Sequence, residues 1–282
     1  MQRAYANLND CGEPWQIHYR EHGTGSALVM LHPSPLSSVF LEPQIALFGE
    51  FMHCIAWDTP GYGFSDPLPS RFDSDRSLKP YIEALLCFLD CLGLERPIIY
   101  GSATGAQIAI AFAGAYPQHC AGLLLENVAL FEGSEVEELL NGYFPDLNAK
   151  EDGSHLFQLW EMATQSTCFF PWYDTRPEAR RNNNPPPAPV LNAIVRDHML
   201  AGSSYDRAYQ AAFANERLEP LQGLTMPTRI ILWSDGLLGD YGERVTSAPL
   251  PANVQVQRAV SGMNSRLNSL QKAAVELLAV DD

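Results

Sequence analysis

Basic residues are scarce in this chain. Lysine and arginine together number 18 against 33 aspartates and glutamates, a formal net charge of −15 at pH 7. Nucleic acid and anionic membrane each need a basic face opposite their phosphates, so neither is expected as a partner. The acidic excess reads as a solubilising surface. Cysteines are few, and Cys11, Cys54, Cys87, Cys91, Cys120 and Cys168 contain no C-x-x-C spacing. Cys87 and Cys91 stand one helical turn apart, a common core spacing. All read as reduced thiols, which points to a cytoplasmic protein. No apolar run reaches membrane-spanning length. The N-terminus shows neither a basic n-region nor an apolar h-region, so no signal peptide is expected. No internal repeat is present, and nothing calls for a metal or a cofactor.

What is present suffices for a sizeable core: 282 residues, 46% hydrophobic and 10% aromatic. Residues Tyr5 to His22 read as two antiparallel strands with a turn near Gly12-Glu13-Pro14. A continuous apolar run at Ala27 to Leu31 suits a strand buried on both faces, and His53 to Trp57, Ile98 to Tyr100, Gly122 to Glu126 and Thr228 to Trp233 read as further strands. Val254 to Val256 adds a last strand. Between them Leu41 to Phe48, Leu78 to Leu92, Ile108 to Tyr116 and Lys272 to Leu278 carry helical character, and Gly93 stops the second. The fold class is therefore α/β: a mostly parallel, eight-stranded sheet with helices on both faces. Ligands of such sheets sit beyond the carboxyl ends of the strands.

Residues 131–215 break the rhythm with helical, Trp-, Tyr- and Phe-rich sequence and the run Pro185-Pro186-Pro187, a stiff connector. They read as a helical cap inserted between core segments 1–130 and 216–282, lying over the carboxyl edge of the sheet with Ala103 beneath. Trp160, Phe169, Phe170, Trp172 and Tyr173 are readable as lining for an apolar or aromatic small molecule, or as cap core.

The organising stretch is Ile98 to Ala109: a strand, then Gly101-Ser102-Ala103-Thr104-Gly105, then an Ala-rich helix. Side chains at Gly101 and Gly105 would collide where strand and helix approach. This pattern resembles the G-x-S-x-G nucleophile elbow of the α/β-hydrolase superfamily. Three further segments resemble family motifs, in family order. Leu31-His32-Pro33-Ser34-Pro35 resembles the H-G-x-P oxyanion loop, Asp58 to Ser65 the D-x-P-G-x-G-x-S segment, and Ile231 to Asp235 the strand before the acid loop. The resemblance covers nearly the whole chain and extends to the capped, epoxide-hydrolase- and haloalkane-dehalogenase-like branch. It implies an α/β-hydrolase fold, a cis Ser34-Pro35 bond and a pocket under the cap.

The resemblance also implies a nucleophile, a histidine and an orienting acid. The nucleophile position holds Ala103, the acid position Leu237 and the histidine position Asn264, and no histidine follows His198. Asp235 and Asp240 are neighbours that a shifted acid loop could use. His32 is the alternative base, or else a structural group bonding its own loop. Glu126 is an alternative acid, or a hydrogen-bonded structural group. Cys54 and Cys120 read as core. Tyr62 and Trp57 read either as pocket lining or as packing. The oxyanion donors are backbone N–H groups, implied at Ser34 and Thr104, and outlast the loss of side chains. Ser34, Thr104, Tyr62 and Trp172 are the expected ligand contacts. Three readings stay open: a diverged enzyme without serine chemistry, a catalytically silent binder of a small molecule, and an engineered Ala103 trap.

Overall fold

The structure, a computed structural model, describes residues 1–10 and 13–281. Cys11 and Gly12, part of the expected first turn, lie outside the described residues. Strands β1 (Gln2–Asp10) and β2 (Glu13–His22) pair antiparallel. They are followed by β3 (Ala27–Leu31), β4 (His53–Trp57), β5 (Ile98–Ser102), β6 (Gly122–Glu126), β7 (Thr228–Trp233) and β8 (Val254–Ala259). One eight-stranded sheet results, in the order β1-β2-β4-β3-β5-β6-β7-β8. The β2–β4 pair is antiparallel and every later pair parallel.

Alternation within the buried strands sorts their side chains to two helical layers. Val29 and Leu31, Ile99, and Leu123 and Leu125 join one core with helices α2 (Lys79–Leu92) and α3 (Thr104–Ala115). Leu28 and Met30, Ile98 and Tyr100, and Leu124 face the other. That second layer holds α1 (Glu42–Phe48) and the final helix, Met263–Asp281. The final helix starts well before the expected Lys272. Its first turns are polar, but Leu270 is fully buried and Leu267 packs beside it. Trp57 is core, as are Cys54 and Cys120, whose thiols burial pushes up to about 12. No disulfide joins the described cysteines. No helix among the described residues is long and apolar enough to cross a membrane.

Between β6 and β7 the chain leaves the sheet and forms a helical cap region. It contains α4 (Glu135–Tyr143), α5 (Ser154–Ser166), α6 (Ala188–Ala201) and α7 (Arg207–Asn215). The proline run leads directly into α6, with Pro187 extended at φ −62°, ψ 153°. The cap has an aromatic core: Phe131, Tyr143, Phe170 and Phe213 are buried together. Helices α8 (Leu218–Gln222), α9 (Asp240–Ser247) and, after β8, α10 (Met263–Asp281) complete the chain.

Candidate active site

Ala103 joins β5 to α3 at φ 49°, ψ −114°. Non-glycine residues occupy this conformation at a cost of about 1–3 kcal/mol. It persists because both sides are fixed: the Ala103 N–H donates to the Glu126 carbonyl (3.1 Å), and the Ala103 carbonyl accepts from Gln107 N–H (3.0 Å). The flanking glycines are required. A Cβ on Gly101 would lie 2.5 Å from the Gly105 carbonyl oxygen, and one on Gly105 would lie 2.2 Å from that of Leu31. The elbow is thus complete, and a methyl group stands at its apex.

The loop that resembles the family's oxyanion loop follows β3. Its Ser34-Pro35 bond is cis, as the resemblance implies. The Ser34 N–H makes no backbone hydrogen bond among the described residues. The Thr104 N–H opens α3 and has no acceptor within the helix. The hydroxyls of both residues are buried without a partner.

His32 is fully buried behind this loop. Its Nδ1 bonds the Pro33 carbonyl (3.0 Å), and its Nε2 accepts from Thr59 N–H (2.9 Å). Both ring nitrogens are occupied, and burial lowers the basicity of the ring. That leaves His32 no lone pair for a proton; it ties the oxyanion loop to the segment after β4. Asp58 ties that segment further, accepting from Ser38 N–H (2.7 Å) and Phe64 N–H (2.9 Å) and bonding His18 Nδ1 (2.7 Å).

A cavity of about 220 Å³ lies over the elbow. The core contributes Pro33, Ser34, Ala103 and Asn127, and the cap contributes Tyr143, Met162, Phe170, Trp172, Ile194, His198 and Tyr209. Leu237 and Leu238 close one side. Among the described residues lining it there is no Asp, Glu, Lys or Arg. Ser34, Ala103, Leu237 and Trp172 are therefore brought together. Trp172 is held by a bond from its Nε1 to the Tyr143 carbonyl (2.8 Å).

Other expected site residues lie elsewhere. The Tyr62 hydroxyl donates to the Tyr205 carbonyl (2.9 Å) and accepts from Ala208 N–H (3.1 Å), so Tyr62 joins core to cap without lining the cavity. The Thr104 side chain is buried outside the lining. Asn264 is exposed in the first turn of α10 and does not reach the cavity. Asp235 accepts from Ser261 Oγ and Gly262 N–H, both at 2.9 Å, joining the loops after β7 and β8. Glu126 accepts two bonds from Arg266 (2.7 and 2.8 Å) and one from the Tyr100 hydroxyl (2.6 Å), and so serves the sheet. Of the five cap aromatics singled out in the sequence, Phe170 and Trp172 line the cavity, whereas Phe169 packs with Cys168 and Ala179.

Asn127 and His198 are among the lining residues that the sequence did not single out. Asn127, at φ 51°, donates from Nδ2 to Ser102 Oγ (2.9 Å) beneath the elbow. His198 is 6% exposed, with Nδ1 bonded to the Ile194 carbonyl (2.9 Å). Burial pushes its basicity below that of an ordinary imidazole. Leu191, Ile194, His198 and Ala201 fall at helical spacing on one face of α6, a signal that periodicity carries.

The strained elbow, its two glycines and the cis-proline loop after β3 have the arrangement of the α/β-hydrolase fold. The chain belongs to the alpha/beta hydrolase fold family, whose pattern matches residues 27–220. It is 40% identical over 129 residues to the 2-hydroxy-6-oxononadienedioate/2-hydroxy-6-oxononatrienedioate hydrolase 2 of Pseudomonas putida. That match covers 43% of each protein. It is 28% identical over 125 residues to the cis-3-alkyl-4-alkyloxetan-2-one decarboxylase of Shewanella oneidensis, covering 44% of this chain and 39% of that one. Less than half the length of these curated relatives is matched. Among solved structures it resembles a laboratory-evolved potato epoxide hydrolase (TM-score 0.70, 16% identity, 99% of each chain). It also resembles a serine-to-alanine mutant of the meta-cleavage product hydrolase of Pseudomonas fluorescens, complexed with acetates (TM-score 0.67, 16% identity, 98% of each chain). At these identities the structural likeness concerns the fold.

Proposed function

We propose that this protein acts on a small, neutral, apolar carbonyl compound beneath its cap, without forming a covalent acyl-enzyme. The observation that carries this reading is Ala103 at the elbow apex, lining an apolar cavity beside the oxyanion loop. A methyl group cannot attack a carbonyl, while the N–H groups of Ser34 and Thr104 can still polarise one. Lyase, isomerase and decarboxylase steps need orientation and oxyanion stabilisation rather than a nucleophile. The names of the hydrolase and decarboxylase relatives both describe carbonyl compounds, which supports that substrate class. A dicarboxylate is not proposed, since no cation lines the cavity among the described residues. The reduced-thiol pattern supports a cytoplasmic place of action.

Intact-mass analysis after exposure to a fluorophosphonate and to p-nitrophenyl acetate tests the first half. No adduct is expected, and a stoichiometric one would sink the reading. Asp235, spent on Ser261 and Gly262, favours a second reading, a silent binder, because that carboxylate is not free to orient an imidazole. A metabolite screen by thermal shift and turnover separates the two: ligands that stabilise without being consumed establish the binder.

A further inference from the structure

We propose that His198 is the proton acceptor of this cavity. Its substrates are then neutral carbonyl compounds with an acidic hydrogen on the carbon beside the carbonyl, a proposal that rests on the carbonyl reading above. His198 arrives from cap helix α6, far in sequence from the position where the family resemblance implies a histidine. Its Nδ1 is committed to the Ile194 carbonyl at 2.9 Å. That bond fixes the neutral tautomer with the proton on Nδ1 and the lone pair on Nε2. No partner for Nε2 is found among the described residues, and the residue lines the cavity.

The alternatives are spent. Tyr143 and Tyr209 pair hydroxyl to hydroxyl at 2.8 Å, and burial keeps both phenols protonated. His32 has both nitrogens occupied. No carboxylate lines the cavity among the described residues. His198 is thus the one lining side chain with a lone pair basic enough to take a proton near neutral pH. Ser34 lines the same cavity, and its N–H, with that of Thr104 next to Ala103, is the donor set proposed for the developing negative charge.

The step balances without a co-reactant. The Cα–H bond breaks and its proton goes to Nε2. The bonding pair becomes the Cα=C bond of an enolate, and the carbonyl π pair moves to oxygen, which accepts from Ser34 and Thr104 N–H. Return of the proton to the same carbon gives exchange. Return to a conjugated carbon gives an isomer. Either way His198 ends neutral.

Two probes on the full chain test this. Kemp elimination of 5-nitrobenzisoxazole, followed by absorbance, reads a base in an apolar cavity. Deuterium exchange at the α-carbon of phenylacetone in D2O, followed by NMR, reads base and oxyanion site together. The expected result is acceleration of both by the wild type and a loss of about 10²-fold or more in His198→Gln, with KM and melting temperature unchanged. His119→Gln, on the surface side of the core, should change neither. The wild-type rate should fall on the acid side at a pH below the ordinary imidazole value of 6.5. The groups that bear on that titration are Asp197, held by Ser37 and Arg196, Tyr205 at 6.1 Å ring to ring, and Tyr143 and Tyr209 across the cavity.

Exchange that is insensitive to His198→Gln would overturn His198 and leave the carbonyl reading standing. Kemp elimination that depends on His198, without α-exchange, would keep the base and overturn the carbonyl reading. No acceleration of either probe overturns the proposal. Should His198→Gln lower the melting temperature, the wild-type profile carries the test: a rate that falls on the acid side only above the ordinary imidazole value of 6.5, or shows no acid-side fall at any pH at which the protein stays folded, overturns the proposal.

Discussion

At the scale of single residues, Glu216 shows what the cap junction costs. It follows α7, its main-chain carbonyl accepts from Phe131 N–H (3.1 Å), and its side chain is 5% exposed with Oε2 unpartnered. Desolvation raises its pKa well above the ordinary 4.5. The folded state therefore holds this proton more tightly than the unfolded chain does. Its contribution to stability is fully present below about pH 4.5 and falls as pH rises toward the folded value. Glu216→Gln keeps the shape and removes the titration. The variant should gain on the wild type as pH rises, by about 1.4 kcal/mol per pH unit within that window. Urea midpoints at about pH 4 and pH 8 measure the gain, and a difference independent of pH would refute it.

At the scale of elements, β6 and α10 are held by a buried ion pair. Glu126 and Arg266 are 2% and 7% exposed and share two hydrogen bonds, with the Tyr100 hydroxyl completing the acceptor's shell. Removing one partner strands a charge, whereas replacing both with apolar residues does not. Arg266→Ala should cost about 3–5 kcal/mol, and Glu126→Leu with Arg266→Met far less. Denaturant unfolding of both variants checks the asymmetry; equal losses would refute it. The same region shows why some elements were legible and others not. Strands β6 and β7 carry the apolar runs Leu123-Leu124-Leu125 and Ile230-Ile231-Leu232-Trp233, covered on both faces, and their expected bounds match the structure. Helix α10 begins with Met263-Asn264-Ser265-Arg266, whose one buried anchor is a charged residue pairing across the fold. Helical hydrophobic periodicity cannot register a partner 140 residues away in sequence.

At the scale of the whole molecule, the motifs located the fold and the elbow but not the composition of the cavity. Gly101 and Gly105 are legible because backbone contact forbids any side chain there, a demand local to the chain. The base candidate was not, because periodicity marks the inward face of α6 but not which of its residues meets the cavity, which the packing of α6 against the other cap helices decides. The segment from Asp58 to Ser65 turns out to be a junction rather than a site. Asp58 is 1% exposed and joins β2 through His18, the oxyanion loop through Ser38 and the loop after β4 through Phe64. Burial alone would raise its pKa; the bonds from His18, Ser38 and Phe64 outweigh it and hold the carboxyl at about 2, below the ordinary 3.8. Because the folded value is depressed, the contribution is complete above about pH 4 and is lost as pH falls toward 2. The shift corresponds to about 2 kcal/mol. Acid should therefore loosen the oxyanion loop and the first β-hairpin together, since one protonation releases both. Asp58→Asn, already without the charge, should be less stable than the wild type at pH 7 and should lose less additional stability between about pH 4 and 2. Hydrogen exchange in the Ser34–Ser38 loop and in β2, followed across that window, checks the coupling. Protection lost in one and retained in the other would show that Asp58 does not join them.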